Sequence, residues 1–255
     1  GTREEKSLAL LNAGTYLGEM TLMDGTPRSA SARAEEDSIV LRISRRNFIQ
    51  LLRENPQVAI RLFVSFMNVI SERLRRANEE LVALYEIGKI VSAAPPLGVM
   101  LEKILQTLAG AAKADLAVFF IVNEFTGRLE ARGAVGEGSV GLLNMKFGSD
   151  ESVIGRALAL RQTLCISGFG SCPEYECVKR FGFEREMMLI APLIRQERPF
   201  GAILLARGEA GAPFDNANVN LVNGVASQAA AAIESAVHRQ ESAAKEQYDR
   251  RYLQF

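Results

Sequence analysis

Tryptophan is absent from the 255 residues, histidine occurs once and cysteine three times. A lone His excludes His-rich zinc sites, Ser-His-Asp triads and Cys-His dyads, because each needs a His placed by a partner group. That residue, His238, stands in the run AAIESAVHRQESAAKEQ, a polar-faced helical pattern whose ordinary reading is a solvated surface. Charge of one sign is missing too: 30 Lys and Arg balance 30 Asp and Glu. The chain therefore lacks the electrostatic pull toward nucleic acid or membrane that a basic protein has, and neither side of a split at Gly88 is a basic module. No apolar run approaches the roughly 20 residues that span a bilayer. No charged-then-apolar leader opens the chain. These absences lead to an expected cytoplasmic protein without membrane or nucleic-acid partners, and one that is not an enzyme of familiar type.

What is present is ordinary globular material, 48% hydrophobic and 24% charged. The length suits one large domain or two small ones. The chain starts Gly-Thr-Arg and stops at YDRRYLQF inside a helical pattern, so the reading is a segment cut from a longer protein. A start codon directly before Gly1 would overturn it.

Short strands separated by Gly-bearing turns are expected at Ser7–Leu11, Ser31–Arg33 and Ile39–Ile43. Ser44 suits the N-cap of a helix RRNFIQLLRENP, which Pro56 interrupts. From Gln57 to Val91 a long helix is expected. In it Phe63, Met67, Ile70, Leu74, Ala77, Leu81 and Leu84 recur at alternating spacings of four and three, an a/d heptad seam. Its narrow apolar stripe and polar flanks point to a parallel homodimer helix. Pro95-Pro96 then breaks the chain. Beyond it the pattern predicts a helix at Leu97–Lys113, strands at Leu116–Asn123 and Arg128–Gly133, and a short helix within 150–161. A strand at Thr163–Ile166, an irregular loop, the strand pair MMLIAPLI and FGAILLAR, and a final helix over 214–250 complete it. Strands bracketed by helices make this an α+β arrangement with an antiparallel sheet.

The segment LGEMTLMDGTPRSASARA, Leu17–Ala34, carries the most chemistry. Gly18 lets the backbone come close to a ligand, and Glu19 offers acceptors for a hydroxyl. Met20–Met23 can form one helical turn whose free N–H groups face an anion. Arg28 follows Pro27, with the small residues Ser29 and Ala30 leaving room around it. An Arg beside oriented backbone N–H groups is a standard way to hold a phosphate. The run Gly18, Glu19, Leu22, Pro27, Arg28, Ser29, Ala30, Ala34 resembles the phosphate-binding cassette of cyclic nucleotide-binding domains, the family of catabolite activator protein and the protein kinase A regulatory subunits. The resemblance implies that Arg28 holds the cyclic phosphate of cAMP or cGMP and Glu19 the ribose 2′-hydroxyl. Ser29 and the backbone of Gly18, Met20 and Ala30 complete the cradle. It covers the second half of that domain, a partial β-barrel, and continues into the long helix, which in relatives forms a dimer.

Residues 81–240 resemble a GAF domain, a family of small-molecule-sensing and dimerising modules. The segments that carry the likeness are LAVFFIVNEFTGRLEARGAVG, SVIGRALALRQTLCIS and MMLIAPLIRQERPFGAILLAR. This implies a six-stranded antiparallel sheet with helices on one face and a ligand cavity on the other; the ligand is unknown. The Asn-Lys pair that ends the last strand in cyclic-nucleotide-binding GAF domains is replaced by Ala206-Arg207. Cys165, Cys172 and Cys177 form C-x6-C-x4-C, read first as reduced thiols. A metal or redox sensor is the alternative, without convincing likeness to the three cysteines of free methionine sulfoxide reductases. No metal site is expected.

The expected organisation is a cyclic nucleotide-binding portion at 1–56, a connecting helix at 57–94, a GAF domain at 95–240 and a C-terminal helix at 241–255 leading toward an output domain. The expected function is a regulatory sensor relaying ligand binding through dimeric helices, with a thiol-based sensor or an empty scaffold as competing readings.

Overall fold

A computed structural model describes residues 14–34, 37–143, 145–148, 152–167, 187–208 and 212–252. The chain divides into two compact units, Gly1–Ala77 and Asn78–Phe255, and the division falls within one helix.

In the first unit a short helix α1 (Glu19–Asp24) precedes α2 (Arg45–Glu54) and the opening of α3 (Pro56–Ala93). Ser44 caps α2 as its side chain promises: its Oγ accepts from the Asn47 N–H at 3.1 Å. Asn55 ends α2, and Pro56 starts α3 at the one helical position where a missing N–H costs nothing. Among the described residues of this unit, Phe48, Ala59 and Phe66 are the buried apolar ones. The ring of Tyr16 meets Phe66 edge-on, with centroids 5.2 Å apart, and its hydroxyl hydrogen-bonds Ser65.

Neither Ser31–Arg33 nor Ile39–Ile43 forms the strand its alternation suggests. A strand exists only as one side of a ladder, and no partner stands beside either segment among the described residues. Ile39 and Leu41 are consequently exposed almost completely. The strand expected at Ser7–Leu11 lies outside the described residues.

The second unit is built on a six-stranded antiparallel sheet in the order β3-β2-β1-β6-β5-β4. Its strands are β1 (Leu116–Val122), β2 (Arg128–Gly136), β3 (Lys146–Gly148), β4 (Leu164–Ser167), β5 (Met187–Arg195) and β6 (Arg198–Arg207). Period-two alternation sends successive side chains to opposite faces. Ala117, Phe119, Ile121, Leu189, Ile203 and Leu205 pack with the end of α3, with α4 (Leu97–Ala112) and with the long C-terminal helix α7 (Asn216–Tyr252). Val118, Phe120, Met188, Ile190 and Leu204 face the other way, toward α5 (Ser139–Leu142) and α6 (Val153–Leu160). Both sheet faces are therefore covered, which explains why β1 reads as an unbroken apolar run.

Two small elements, α5 and β3, were not expected from the pattern; one turn and three residues are too short for a period to show. The strand foreseen at Arg128–Gly133 runs on to Gly136, with a bulge opposite Phe119 and Phe120 that leaves Arg132 as the extra residue. Helix α6 is capped by Ser152, whose Oγ accepts from Gly155 N–H at 3.1 Å. At α7, Asp215 and Asn218 exchange side-chain-to-backbone hydrogen bonds of 3.0 and 3.2 Å, a reciprocal cap.

Candidate functional site

The cassette residues come together around the start of α1. Gly18 takes a left-handed conformation, φ +76°, which a Cβ would strain. Space forbids a Cβ there as well: it would stand 0.9 Å from Arg28 Nη1. The glycine thus seats the Arg28 guanidinium directly on the backbone, where Nη1 donates to the Leu17 carbonyl at 3.3 Å. No side chain caps α1, so its first N–H groups are left without a capping side chain. Met20, Arg28, Ser29 and Ala30 are exposed at this surface.

Glu19 behaves differently from its neighbours, because its side chain is only 5% exposed. Oε1 accepts from Arg73 Nη1 of α3 at 3.0 Å, and Arg73 Nη2 donates to the Tyr16 carbonyl at 2.8 Å. Oε2 is buried with no hydrogen-bond partner among the described residues. Native structures seldom leave a buried carboxylate oxygen unmatched, since the desolvation costs about 1–3 kcal/mol or more. An incoming hydroxyl donor would satisfy it. An exposed cation seated on the backbone at Gly18, with a buried acceptor on the next residue, suits a phosphate joined to a sugar hydroxyl.

Arg73 was not singled out in the sequence. A signal existed: it lies seven residues after buried Phe66, so a charge falls on the helix face that packs inward.

In the second unit the end of β6 has another use than ligand binding. Arg207 is buried and donates to the carbonyls of Ala112, Lys113 (3.1 Å) and Ala212 (2.6 Å), and to Asn218 Oδ1 (3.1 Å), while its guanidinium lies 4.1 Å from the Phe214 ring centroid. It locks the C-terminus of α4 to the approach of α7. Cys165 lies on β4 with Sγ 3.7 Å from the Phe214 carbonyl. Cys165 is exposed at the residue level, and partial burial of its sulfur pushes the thiol pKa up; the Arg207 cation opposes this and Asp215 adds to it. A thiol held protonated is a poor nucleophile. Cys172 and Cys177 lie outside the described residues. Among the described residues no cluster of three His, Cys, Asp or Glu could hold a metal ion, and no helix is long and apolar enough to cross a membrane.

A further buried acid, Glu130 of β2, is ringed by cations. Lys146 lies 3.0 Å from Oε1 and Arg132 3.4 Å from Oε2, and Asn123 Nδ2 donates at 3.1 Å. Burial pushes its carboxyl up, but Lys146, Arg132 and Asn123 together bring it below its ordinary value.

Residues 1–55 match the cyclic nucleotide-binding domain, and residues 95–234 match the GAF domain. The cyclic AMP receptor protein of Thermus thermophilus is 42% identical over 78 residues, 31% of this chain. The chain spans about a third of that relative, 34% of its length. Among solved structures, the GAF domain of a phosphoenolpyruvate-protein phosphotransferase from Coxiella burnetii superposes with a TM-score of 0.59 at 23% identity, covering 65% of this chain and 98% of that one. A free methionine-R-sulfoxide reductase from Neisseria meningitidis gives 0.52 at 18% identity, covering 62% and 89%. At these identities the two structures establish the fold alone. The chain belongs to the GAF domain family, and its N-terminal residues 1–55 match the cyclic nucleotide-binding domain.

Proposed function

We propose that this chain is the sensory segment of a cytoplasmic, non-enzymatic signalling protein, binding a cyclic nucleotide at the cassette and a separate small molecule at the GAF domain. The observation that carries the reading is the pairing at α1: Arg28 seated on Gly18, and Glu19 buried with an oxygen that meets no donor among the described residues. The cyclic phosphate sits against Arg28, Ser29 and the backbone of Gly18, Met20 and Ala30. The ribose 2′-hydroxyl donates to Glu19 Oε2. The likeness to a cyclic AMP receptor protein favours cAMP over cGMP.

Arg73 joins the cassette to α3, so nucleotide binding bears on the helix that holds Glu19. The relay runs through a homodimer on α3, toward an output domain after the C-terminal helix. The exposure of Phe63, Met67, Leu74 and Leu81 supports the dimer. A ligand shifts such an equilibrium only by its differential affinity for the two arrangements. The thiol-based alternative receives no support from Cys165, whose pKa is raised.

A thermal-shift series on the full chain tests the ligand. At a hundredfold excess over Kd, cAMP should add about 2.7 kcal/mol of stability. The 2′-deoxy analogue should add much less, because it cannot donate to Glu19. Equal shifts for cAMP, the 2′-deoxy analogue and adenosine would reject the site.

A further inference from the structure

Resting on the cyclic-nucleotide reading above, we propose that Tyr16 and Ser65 are positioning residues that set the preference for a ribose over a deoxyribose. Neither belongs to the groups that cradle the nucleotide in that reading; both act through Arg73 on the Glu19 carboxylate. The guanidinium of Arg73 is a rigid planar fork, so holding one of its amino groups fixes where the other points. Nη2 donates to the Tyr16 carbonyl at 2.8 Å, and Nη1 to Glu19 Oε1 at 3.0 Å. The place of the Tyr16 carbonyl therefore sets the orientation of a carboxylate three residues further along the chain. It also leaves Oε2 as the oxygen that meets no donor among the described residues.

The side chain of Tyr16 holds that carbonyl in place. Its ring meets Phe66 edge-on, and its hydroxyl hydrogen-bonds the Ser65 hydroxyl. Phe66 and Arg73 are seven residues apart on α3, so they share one helix face and stand about 10 Å apart along its axis. Tyr16 thus touches α3 at two levels, with its side chain at one and its carbonyl at the other. The two side-chain contacts do different things. Aromatic rings pack edge-to-face over centroid distances of about 4.5–7 Å, whereas a bond between hydroxyls holds its oxygens within about 2.5–3.0 Å. The ring contact therefore supplies burial and tolerates sliding, and the hydroxyl bond supplies the register. A phenylalanine at position 16 would keep the first and lose the second. The Arg28 end of the cassette takes no part in these bonds, so the phosphate contacts do not depend on them.

Calorimetric titration of cAMP and of its 2′-deoxy analogue into the full chain tests this, with the ratio of the two affinities as the readout. Tyr16→Phe and Ser65→Ala should each weaken cAMP by about threefold to tenfold, the ordinary effect of one lost hydrogen bond, and leave the 2′-deoxy analogue within about twofold of the parent. The double variant should lose no more than either single one, because both remove the same bond. Ser65→Thr keeps a hydroxyl and should keep the parent ratio. An unchanged ratio in Tyr16→Phe and Ser65→Ala would overturn the proposal. Equal weakening of both nucleotides would overturn it too, since that marks a general support of the fold. A parent chain that binds the two nucleotides equally, or binds neither, would remove the cassette reading and this inference together. If Tyr16→Phe does not fold, the contrast between Ser65→Ala and Ser65→Thr decides alone.

Discussion

Single residues in this chain owe their chemistry to what surrounds them, and Glu19 and Glu130 show the contrast. Both are buried glutamates. Glu130 has Lys146, Arg132 and Asn123 about it, and its proton affinity falls below the ordinary value of about 4.5. A carboxylate whose pKa is lowered by folding contributes stability above its unfolded pKa and loses that contribution as pH falls through the folded value. Glu130→Gln should therefore cost about 1 kcal/mol near neutrality. The difference from the parent should shrink toward zero below the ordinary carboxylate range, as urea denaturation at a series of pH values would show. Among the described residues Glu19 meets one cation, Arg73, and its second oxygen meets nothing. An arrangement that leaves one acceptor unsatisfied is poorly explained by stability, and well explained by a ligand. The residues at this site were legible because Gly18, Glu19, Arg28, Ser29 and Ala30 are contiguous or nearly so. Arg73 was not, since its role depends on a contact between residues 54 positions apart.

At the level of elements, local chemistry wrote the helices plainly. Ser44 announces α2, Pro56 the start of α3, and Pro95-Pro96 its end. Ser44→Ala should lower the unfolding free energy by about 1 kcal/mol, the usual worth of an N-cap, whereas Ser44→Asp should retain most of it. A difference of less than a few tenths in denaturation would mean that α2 does not depend on its cap. Strands were plainest where burial on both faces made an apolar run, as in β1, β5 and β6, and β2 and β4 were also expected close to where they lie. Ile39–Ile43 has a strand's alternation but no ladder, because pairing is a property of two segments and a sequence pattern supplies one. The heptad seam shows a related limit. Spacing identified the apolar ridge of α3, yet the residues that the chain buries there, Phe66 in the first unit and Ile87 in the second, lie off that ridge, and the ridge alone does not reveal them.

For the molecule as a whole, the balanced charge and the lone histidine pointed away from nucleic acid and from familiar catalysis. The family matches place a segment similar to the cyclic nucleotide-binding domain and a GAF portion in one chain. Arg207, which ends β6, is committed to the backbone of α4 and the approach to α7. The central claim concerns the cassette, and isothermal titration calorimetry of cAMP into the full chain tests it most directly. The account predicts saturable binding at one site per chain, abolished in Arg28→Ala, whose thermal unfolding should otherwise match that of the parent because Arg28 is exposed. Binding of unchanged affinity in Arg28→Ala, or no heat in the parent, would contradict it.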